Sequence, residues 1–82
     1  MINNKNKITK KMICRTGSSN KYYDIHLIDD NGKFTVVAYY GSLSGWRCNK
    51  SVKYEGEDNH LAHKTFSKII NQKENKGYEP AG

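Results

Sequence analysis

Acidic residues are missing from two stretches of this chain, and long apolar runs are missing throughout. Residues 1–15 carry five Lys or Arg and no Asp or Glu, and residues 40–54 carry three and again no acid. No hydrophobic segment approaches the ~20 residues of a membrane span, and the start of the chain lacks the apolar segment of a signal peptide. We therefore expect no membrane partner and a cytoplasmic location.

Cysteine is scarce too, with Cys14 and Cys48 alone and no CxxC pair. In a reducing compartment both thiols stay reduced, and the sequence leaves open whether the two lie close together. His60 and His63 lie one helical turn apart and could ligate a metal together with a cysteine. Their place on the solvated side of a helix start argues against such a site. We expect no metal and no cofactor.

Groups arranged for catalysis are absent as well. Asp29 and Asp30 precede Asn31-Gly32, a position typical of turn residues and not of an acid–base pair. His26 falls on the polar side of a strand, and no serine occupies a nucleophile elbow. The sequence predicts a protein that is not an enzyme and takes no small-molecule substrate.

Positive charge is what the chain has in excess. Its 82 residues include 14 Lys or Arg against 8 Asp or Glu, a net charge of +6. A basic surface raises the local concentration of polyanions, nucleic acid above all. The plainer alternative is that the lysines only keep a small protein soluble.

Hydrophobic periodicity predicts strands first and one helix last. In "KYYDIHLI" every second residue is apolar, and Asn31-Gly32 favours a hairpin to "FTVVAYY". From Leu61 to Ile70 the apolar spacing becomes helical, and Gly77 is a natural helix stop. We predict an α+β fold, a small antiparallel sheet of four to five strands with one C-terminal amphipathic helix packed on one face. Residues 1–7 are expected to be a mobile basic segment and residues 8–82 a single domain.

The stretch "VVAYYGSLSGWRCNKSVKY" joins two predicted strands through a corner bounded by glycines. Gly41 and Gly45 allow a ligand to approach the backbone, a nearby ring offers a stacking surface, and basic residues follow at close intervals. Aromatic stacking and lysine–phosphate contacts do not read sequence, so we expect recognition of nucleic-acid structure or ends. The alternative is that the rings pack over the sheet edge and the glycines only permit the bend.

From Asn20 to Tyr78 the chain resembles the WGR domain, named for a Trp-Gly-Arg tripeptide and found in DNA-dependent poly(ADP-ribose) polymerases and in short bacterial proteins. The likeness lies in the hairpin "KYYDIHLIDDNGKFTVVAYYGSLSG" and in the closing helix with Phe66, spaced lysines and the Gly77-Tyr78 end. The resemblance implies a small antiparallel sheet with one helix packed against it, and binding of broken DNA.

The tripeptide itself is altered to Tyr40-Gly41-Ser42. The family's tryptophan lies against the sugar and base at a DNA end, and Tyr40 can still stack in that way. Ser42 has neither the charge nor the fork of the family's arginine, which reaches the backbone or a neighbouring domain. Trp46 and Arg47 are our candidates for a displaced ring and guanidinium.

These observations predict a non-enzymatic module that binds DNA, with RNA left open as an alternative ligand. The segment Lys5–Arg15 would add phosphate contacts. The predicted nucleic-acid-binding residues are Tyr40, Gly41, Ser42, Trp46, Arg47, Asn49, Lys50 and Lys53.

The rival prediction is a protein-interaction module. The polymerase domain also docks on its neighbours, so a lone domain of this kind could act on another protein, as a viral or mobile-element adaptor or inhibitor does with a host factor. The loss of the arginine at Ser42 favours this alternative.

Overall fold

A computed structural model gives the fold of the protein and describes residues 5–16, 19–45 and 48–81. Its elements in chain order are β1 (Lys5–Thr16), β2 (Ser19–Asp30), β3 (Lys33–Ser42), β4 (Asn49–Gly56), α1 (Asn59–Asn75) and β5 (Glu79–Pro80). The strands form one antiparallel sheet in the order β4-β3-β2-β1-β5. The predicted α+β class, with a small antiparallel sheet and one C-terminal helix, is confirmed.

Alternation along the strands gives the sheet one buried face. On β2 the side chains of Tyr23, Ile25 and Leu27 are buried, while the residues between them are only half-buried. Successive side chains of a strand point to opposite faces, so this pattern places the core on one side of the sheet. Ala62 and Phe66 of α1 join that core, so we call this side the helix face and the opposite side the open face.

Strand pairing carries the core across the sheet. Met12 on β1 pairs with Tyr23 on β2, which pairs with Tyr40 on β3. Two residues further along β2, Ile25 pairs with Ala38. A slip by one residue would turn each of these side chains to the open face, so the apolar pattern specifies the register.

The β2–β3 connection is the predicted two-residue hairpin. Asn31 and Gly32 have φ of 54° and 88°, the positive values that a type I′ turn requires at both positions. The backbone N–H of Gly32 donates to the Asp29 carboxylate at 3.1 Å. Asp29 is therefore a turn residue, as the sequence predicts.

The edge strand β4 contains a bulge. Asn49 and Lys50 at its start pair regularly with Tyr40 and Tyr39. The register shifts between Val36, which pairs with Tyr54, and Val37, which pairs with Val52. Lys53 is the extra residue, and a bulge of this kind redirects the side chains of its strand.

Helix α1 has well-defined ends. At its start the Asp58 carboxylate accepts a hydrogen bond from the Leu61 N–H at 3.0 Å, which caps the helix. At its end the N–H of Gly77 donates to the Glu74 carbonyl and that of Tyr78 to the Lys73 carbonyl, at 3.1 and 3.0 Å. With Gly77 at φ 102°, these bonds form a Schellman motif.

Pairing near both ends of the described chain completes the sheet. β1 begins at Lys5, and Lys5–Lys7 pair with the end of β2. After α1 the chain returns as β5, which pairs with β1 at Met12 and Ile13 and gives five strands, within the four to five that the sequence predicts. Both pairings join segments that are distant in sequence, which periodicity along one segment does not reveal.

Replacing Gly32 by alanine tests the hairpin. An added Cβ at Gly32 would meet nothing within 4 Å, so the cost is conformational only, about 1–2 kcal/mol for a left-handed residue. We expect a lower urea midpoint for Gly32→Ala. Gly45→Ala, where a Cβ makes only ordinary contacts, is the matched control and should unfold like the parent. Equal midpoints for the two variants would contradict the turn geometry.

Truncating Phe66 tests the attachment of α1. Phe66 is 8% exposed in the core, and removing a buried phenylalanine side chain costs about 3–5 kcal/mol. Leu61 on the same helix is 46% exposed, so Leu61→Ala should cost far less. Urea unfolding followed by circular dichroism compares the two variants, and equal losses would show that the helix is anchored elsewhere.

Candidate nucleic-acid interface

Three tyrosines meet on the helix face beside the carboxyl end of α1. The rings of Tyr23 and Tyr40 are stacked with centroids 5.6 Å apart and an interplanar angle of 19°. Tyr78 meets Tyr23 edge-on at 6.2 Å and 72°. Tyr23 is almost fully buried, whereas Tyr40 and Tyr78 are half-buried, so the group is part core and part surface.

Local structure explains why these rings meet. Tyr23 and Tyr40 occupy directly opposed positions of β2 and β3, where cross-strand side chains lie about 5 Å apart. Tyr78 is the residue after the left-handed Gly77, and its N–H bond to the Lys73 carbonyl turns it back toward the helix. The helix stop therefore delivers a third ring to a pair that the sheet has already formed.

A lysine lies over this group of rings. The Nζ of Lys73 is 4.4 Å from the centroid of Tyr23 and 5.6 Å from that of Tyr78, distances at which a cation is attracted to a ring face. We call Tyr23, Tyr40, Lys73 and Tyr78 the tyrosine–lysine cluster. The Lys73 ammonium group lies against aromatic faces. Because a ring carries no net charge, it neutralises the ammonium less than a carboxylate would.

The charges that shift the pKa of Lys73 are positive. Burial lowers the pKa of Lys73 below its ordinary value of 10.5, and the charges of Lys76, Lys53 and Lys21 lower it further. These lysines come from α1 or its C-cap, from β4 and from β2. A bound anion would relieve their mutual repulsion, and phosphate is the anion that such a cation group suits.

A groove of about 360 Å³ runs between the end of α1 and the sheet beside the cluster. Tyr23 and Ile69 line it together with Lys53, Lys68 and Lys73. Lys53 is the extra residue of the β4 bulge, so the bulge supplies one wall of the groove. The groove combines a ring and an apolar side chain with three ammonium groups, a surface that suits a sugar–phosphate backbone.

The structure divides the predicted site residues between the two sheet faces. Tyr40 belongs to the cluster and Lys53 lines the groove. Asn49 donates through Nδ2 to the Tyr40 carbonyl at 3.4 Å, which ties β4 to the end of β3. Lys50 pairs with Tyr39 and therefore belongs to the open face. Trp46 and Arg47 lie outside the described residues and remain predictions.

The altered tripeptide ends β3 in a fixed turn. The Ser42 hydroxyl is 3.4 Å from the Asn20 carbonyl, to which it donates, and 3.0 Å from the Ser44 hydroxyl. The Leu43 N–H donates to the same Asn20 carbonyl at 2.8 Å. Gly41 precedes this turn as a half-buried strand residue. Ser42 thus holds the corner in place, whereas the neighbouring Tyr40 offers its ring.

Sequence reasoning missed Tyr23, Lys73 and Lys21 as site residues. Tyr23 alternates like an ordinary core residue, and Lys73 has the sequence position of a cation that is favourable to the helix dipole. The Gly77-Tyr78 end is part of the resemblance to the family, but the sequence does not show that Tyr78 belongs to the site. The signal that unites them is tertiary, because β2, α1 and the chain after Gly77 are distant in sequence.

Neither a group of metal-ligating side chains nor a membrane-spanning helix is found among the described residues. Within residues 5–16, 19–45 and 48–81, no group of three or more His, Cys, Asp or Glu side chains could hold a metal ion. The one helix in these ranges is also too short and polar to cross a membrane.

These features define a small α+β module with a basic, ring-lined cluster on its helix face. The family model for the WGR domain matches residues 6–82, so the chain belongs to the WGR family. WGR domains are nucleic-acid-binding modules and are not catalytic in themselves. Comparison with curated proteins and with solved structures gives no match.

The buried phenols of the cluster give a prediction for alkaline pH. Burial is the main cause that raises the pKa of Tyr23 and of Tyr78 above the ordinary 10.0. A phenol whose pKa is higher in the folded state than in the unfolded state stabilises the fold while it is neutral. This stabilisation is fully present below the unfolded-state pKa and is lost as pH rises through the folded-state pKa. The parent should therefore lose stability as pH rises beyond 10.0.

Tyr23→Phe keeps the ring and removes one such phenol. Its urea midpoint should fall less than that of the parent between about pH 9 and about pH 11. The difference between the two proteins at about pH 8, where the phenols are neutral, serves as the baseline. An equal alkaline loss in both proteins would contradict the burial of the Tyr23 hydroxyl.

Proposed function

We propose that this protein is a non-enzymatic DNA-binding module that recognises DNA structure or ends through backbone and stacking contacts on its helix face. The tyrosine–lysine cluster is the observation that supports this function. Stacking and phosphate contacts read no base edges, so the module selects the shape and the termini of DNA and not its sequence.

Tyr40 is the stacking element of this proposal. It occupies the place of the family's tryptophan, and its ring is half-buried against Tyr23, which orders it before the ligand arrives. An ordered ring loses little side-chain entropy on binding. A terminal sugar or base is expected to pack against the exposed part of the Tyr40 ring.

The lysines supply the charge that Ser42 lacks. Lys73 is 4.4 Å from the Tyr23 ring centroid, and Lys53 lines the groove beside it. Both would neutralise phosphates of the strand whose end lies on Tyr40. On this account Lys73 of α1 and Lys53 of β4 supply the positive charge that the family's arginine provides.

A protein-interaction role is the second candidate function. The loss of the arginine at Ser42 favours it, since one established contact of the family to DNA is missing. Among the described residues, however, four large hydrophobic side chains are more than two-fifths exposed, and each belongs to a different part of the fold. They are Ile8 on β1, Leu43 in the β3–β4 loop, Val52 on β4 and Leu61 on α1. This scatter over four parts of the fold favours a polyanion over an apolar protein partner.

Salt dependence tests the phosphate contacts. The affinity of the parent for a nicked or blunt DNA duplex should fall steeply as salt rises, because bound phosphates release counterions. Lys73→Gln and Lys53→Gln should each weaken binding and reduce the slope of log K against log[salt] by about 1. Fluorescence anisotropy titrations at several salt concentrations provide these slopes.

Lys33→Gln is the matched control for these titrations. Lys33 lies at the far end of β3, where it lines a surface depression with Asp30 and Glu55. Its removal takes away the same charge and should leave the slope unchanged. If all three variants changed the slope equally, net charge and not the cluster would govern binding.

Tyr40→Leu tests the stacking contact. The change keeps an apolar side chain against Tyr23 and removes the ring face, so binding should weaken by about 1–3 kcal/mol. The salt slope should stay that of the parent, because no charge is lost. Parent-like affinity of Tyr40→Leu for a nicked duplex would exclude Tyr40 as the stacking residue.

A further inference from the structure

We propose that the open face of the sheet is a second nucleic-acid site, which binds an unpaired strand of DNA through rings on β2 and β3 and lysines on β1 and β4. The six side chains that form it are Lys7, Lys11, Tyr22, His26, Tyr39 and Lys50. None of them belongs to the tyrosine–lysine cluster, which lies on the opposite side of the same strands.

Strand register places these side chains in adjacent rows. Lys11, Asp24, Tyr39 and Lys50 are successive partners across β1, β2, β3 and β4. In the neighbouring row His26 lies between Thr9 and Val37, and in the row on the other side Tyr22 pairs with Gly41. A row of four strands spans about 14 Å, so the rings lie at its centre and lysines at both margins.

The rings on this face are ordered and accessible. His26 and Tyr39 meet edge to face with centroids 5.5 Å apart, and the His26 Nδ1 is 2.9 Å from the Thr9 hydroxyl. Both rings are half-buried, as is that of Tyr22. The cross-strand neighbours of Tyr22 are Gly41 on β3 and Ile13 on β1, and a hydrogen bond with the Cys48 side chain raises the pKa of its phenol.

On β2 the half-buried Asp24 lies between Tyr22 and His26, whereas the floor of this face on β3 and β4 is apolar. Val37 is only 4% exposed although it does not belong to the helix-face core, because neighbours on the open face cover it. Its partner Val52 on β4 is 51% exposed. Rings beside this apolar patch, on β2 and β3 of the five-stranded sheet, form the kind of surface on which unpaired bases stack.

Charge favours a polyanion as the occupant. Lys7, Lys11 and Lys50 are exposed on this face, and within the described residues none of them forms an ion pair, although Asp24 lies opposite Lys11 in the strand register. The charge of Lys7 reaches the centre of the face, since burial and then Lys7 lower the pKa of His26. The charge of Asp24 raises this pKa, and Lys11 lowers it by less than Asp24 raises it. Phosphates at the two margins would neutralise the lysines while bases lie on the rings between them.

An unpaired strand fits this face better than a duplex or a protein. A duplex presents phosphates but keeps its bases stacked inside, so it would leave the rings unused. A protein partner would have to bring acidic side chains to lysines at both margins. The choice of DNA over RNA rests on the proposed function, because ring stacking does not select the sugar.

The test compares three probes on the same variants. The probes are a single-stranded oligothymidylate, an oligouridylate of the same length and a blunt duplex with no unpaired bases, all measured by anisotropy with the whole chain. Tyr39→Val keeps a strand-forming side chain and removes a ring, and it should weaken oligothymidylate binding about five-fold or more. Lys11→Gln should weaken the same binding and lower its salt slope by about 1. Neither variant should alter duplex binding.

Lys64→Gln, at an exposed position of α1 on the other side of the sheet, is the charge control and should bind the oligothymidylate like the parent. Circular dichroism and the urea midpoint establish that each variant is folded, and Tyr39→Phe replaces Tyr39→Val if the latter is not, with its ring expected to keep parent affinity. Parent-like oligothymidylate binding by folded Tyr39→Val and Lys11→Gln overturns the proposal. So does binding of oligouridylate alone, or a change of oligomeric state in these variants with no change in DNA affinity.

A second readout follows the His26 ring by NMR. Phosphates brought to the margins oppose the field of Lys7 and Lys11, so the pKa of His26 should rise when oligothymidylate binds and stay unchanged with the blunt duplex. An unchanged His26 pKa under saturating oligothymidylate would overturn the placement of the strand. Failure of the proposed function gives a different result, because Lys73→Gln would then leave duplex binding unchanged while Tyr39→Val still weakened oligothymidylate binding.

Discussion

The pairing of β2 with β3 in a single register is the constraint on which the rest of this structure depends. It sets Tyr23 opposite Tyr40 and Ile25 opposite Ala38, and so assembles the core and the candidate site at once. Asn31-Gly32 holds this register, because a two-residue turn with positive φ at both positions allows only one alignment of the flanking strands. Stability and ligand recognition therefore depend on the same turn.

The helix end links the core to the surface. Ala62 and Phe66 anchor α1, and the Schellman motif at Gly77 returns the chain toward the sheet, so that Tyr78 meets Tyr23 and Lys73 lies over both rings. Aromatic faces allow an ammonium group to be half-buried without a carboxylate partner. The cluster thus keeps a positive charge available to a ligand at a place where a buried ion pair would have cancelled it.

The two faces of one sheet carry different chemistry because side chains alternate. The helix face pairs tyrosines with lysines from α1 and β4, whereas the open face holds Tyr22, His26 and Tyr39 between lysines of β1 and β4. A thin domain can present two surfaces in this way, since each strand contributes to both. The proposed end-binding and strand-binding surfaces therefore share a backbone while sharing no side chain.

Local signals in the sequence were enough to determine the type of fold. Alternation in "KYYDIHLI", the Asn31-Gly32 turn and the helical spacing from Leu61 to Ile70 are properties of neighbouring residues, and they specified the hairpin, the helix and its stop. Tyr40 and Lys53 are also among the residues that the corner predicts. The excess of positive charge, which composition alone reveals, points to a polyanion as the ligand.

Only the tertiary structure decided which of these residues act together. It separated Lys50 from Tyr40 across the sheet, placed a bulge at Lys53, and brought Tyr23, Lys73 and Tyr78 into one cluster. The physical reason is that these relations depend on strand register and on the return of the chain after α1. Both are contacts between segments far apart in sequence, and no periodicity within either segment encodes them.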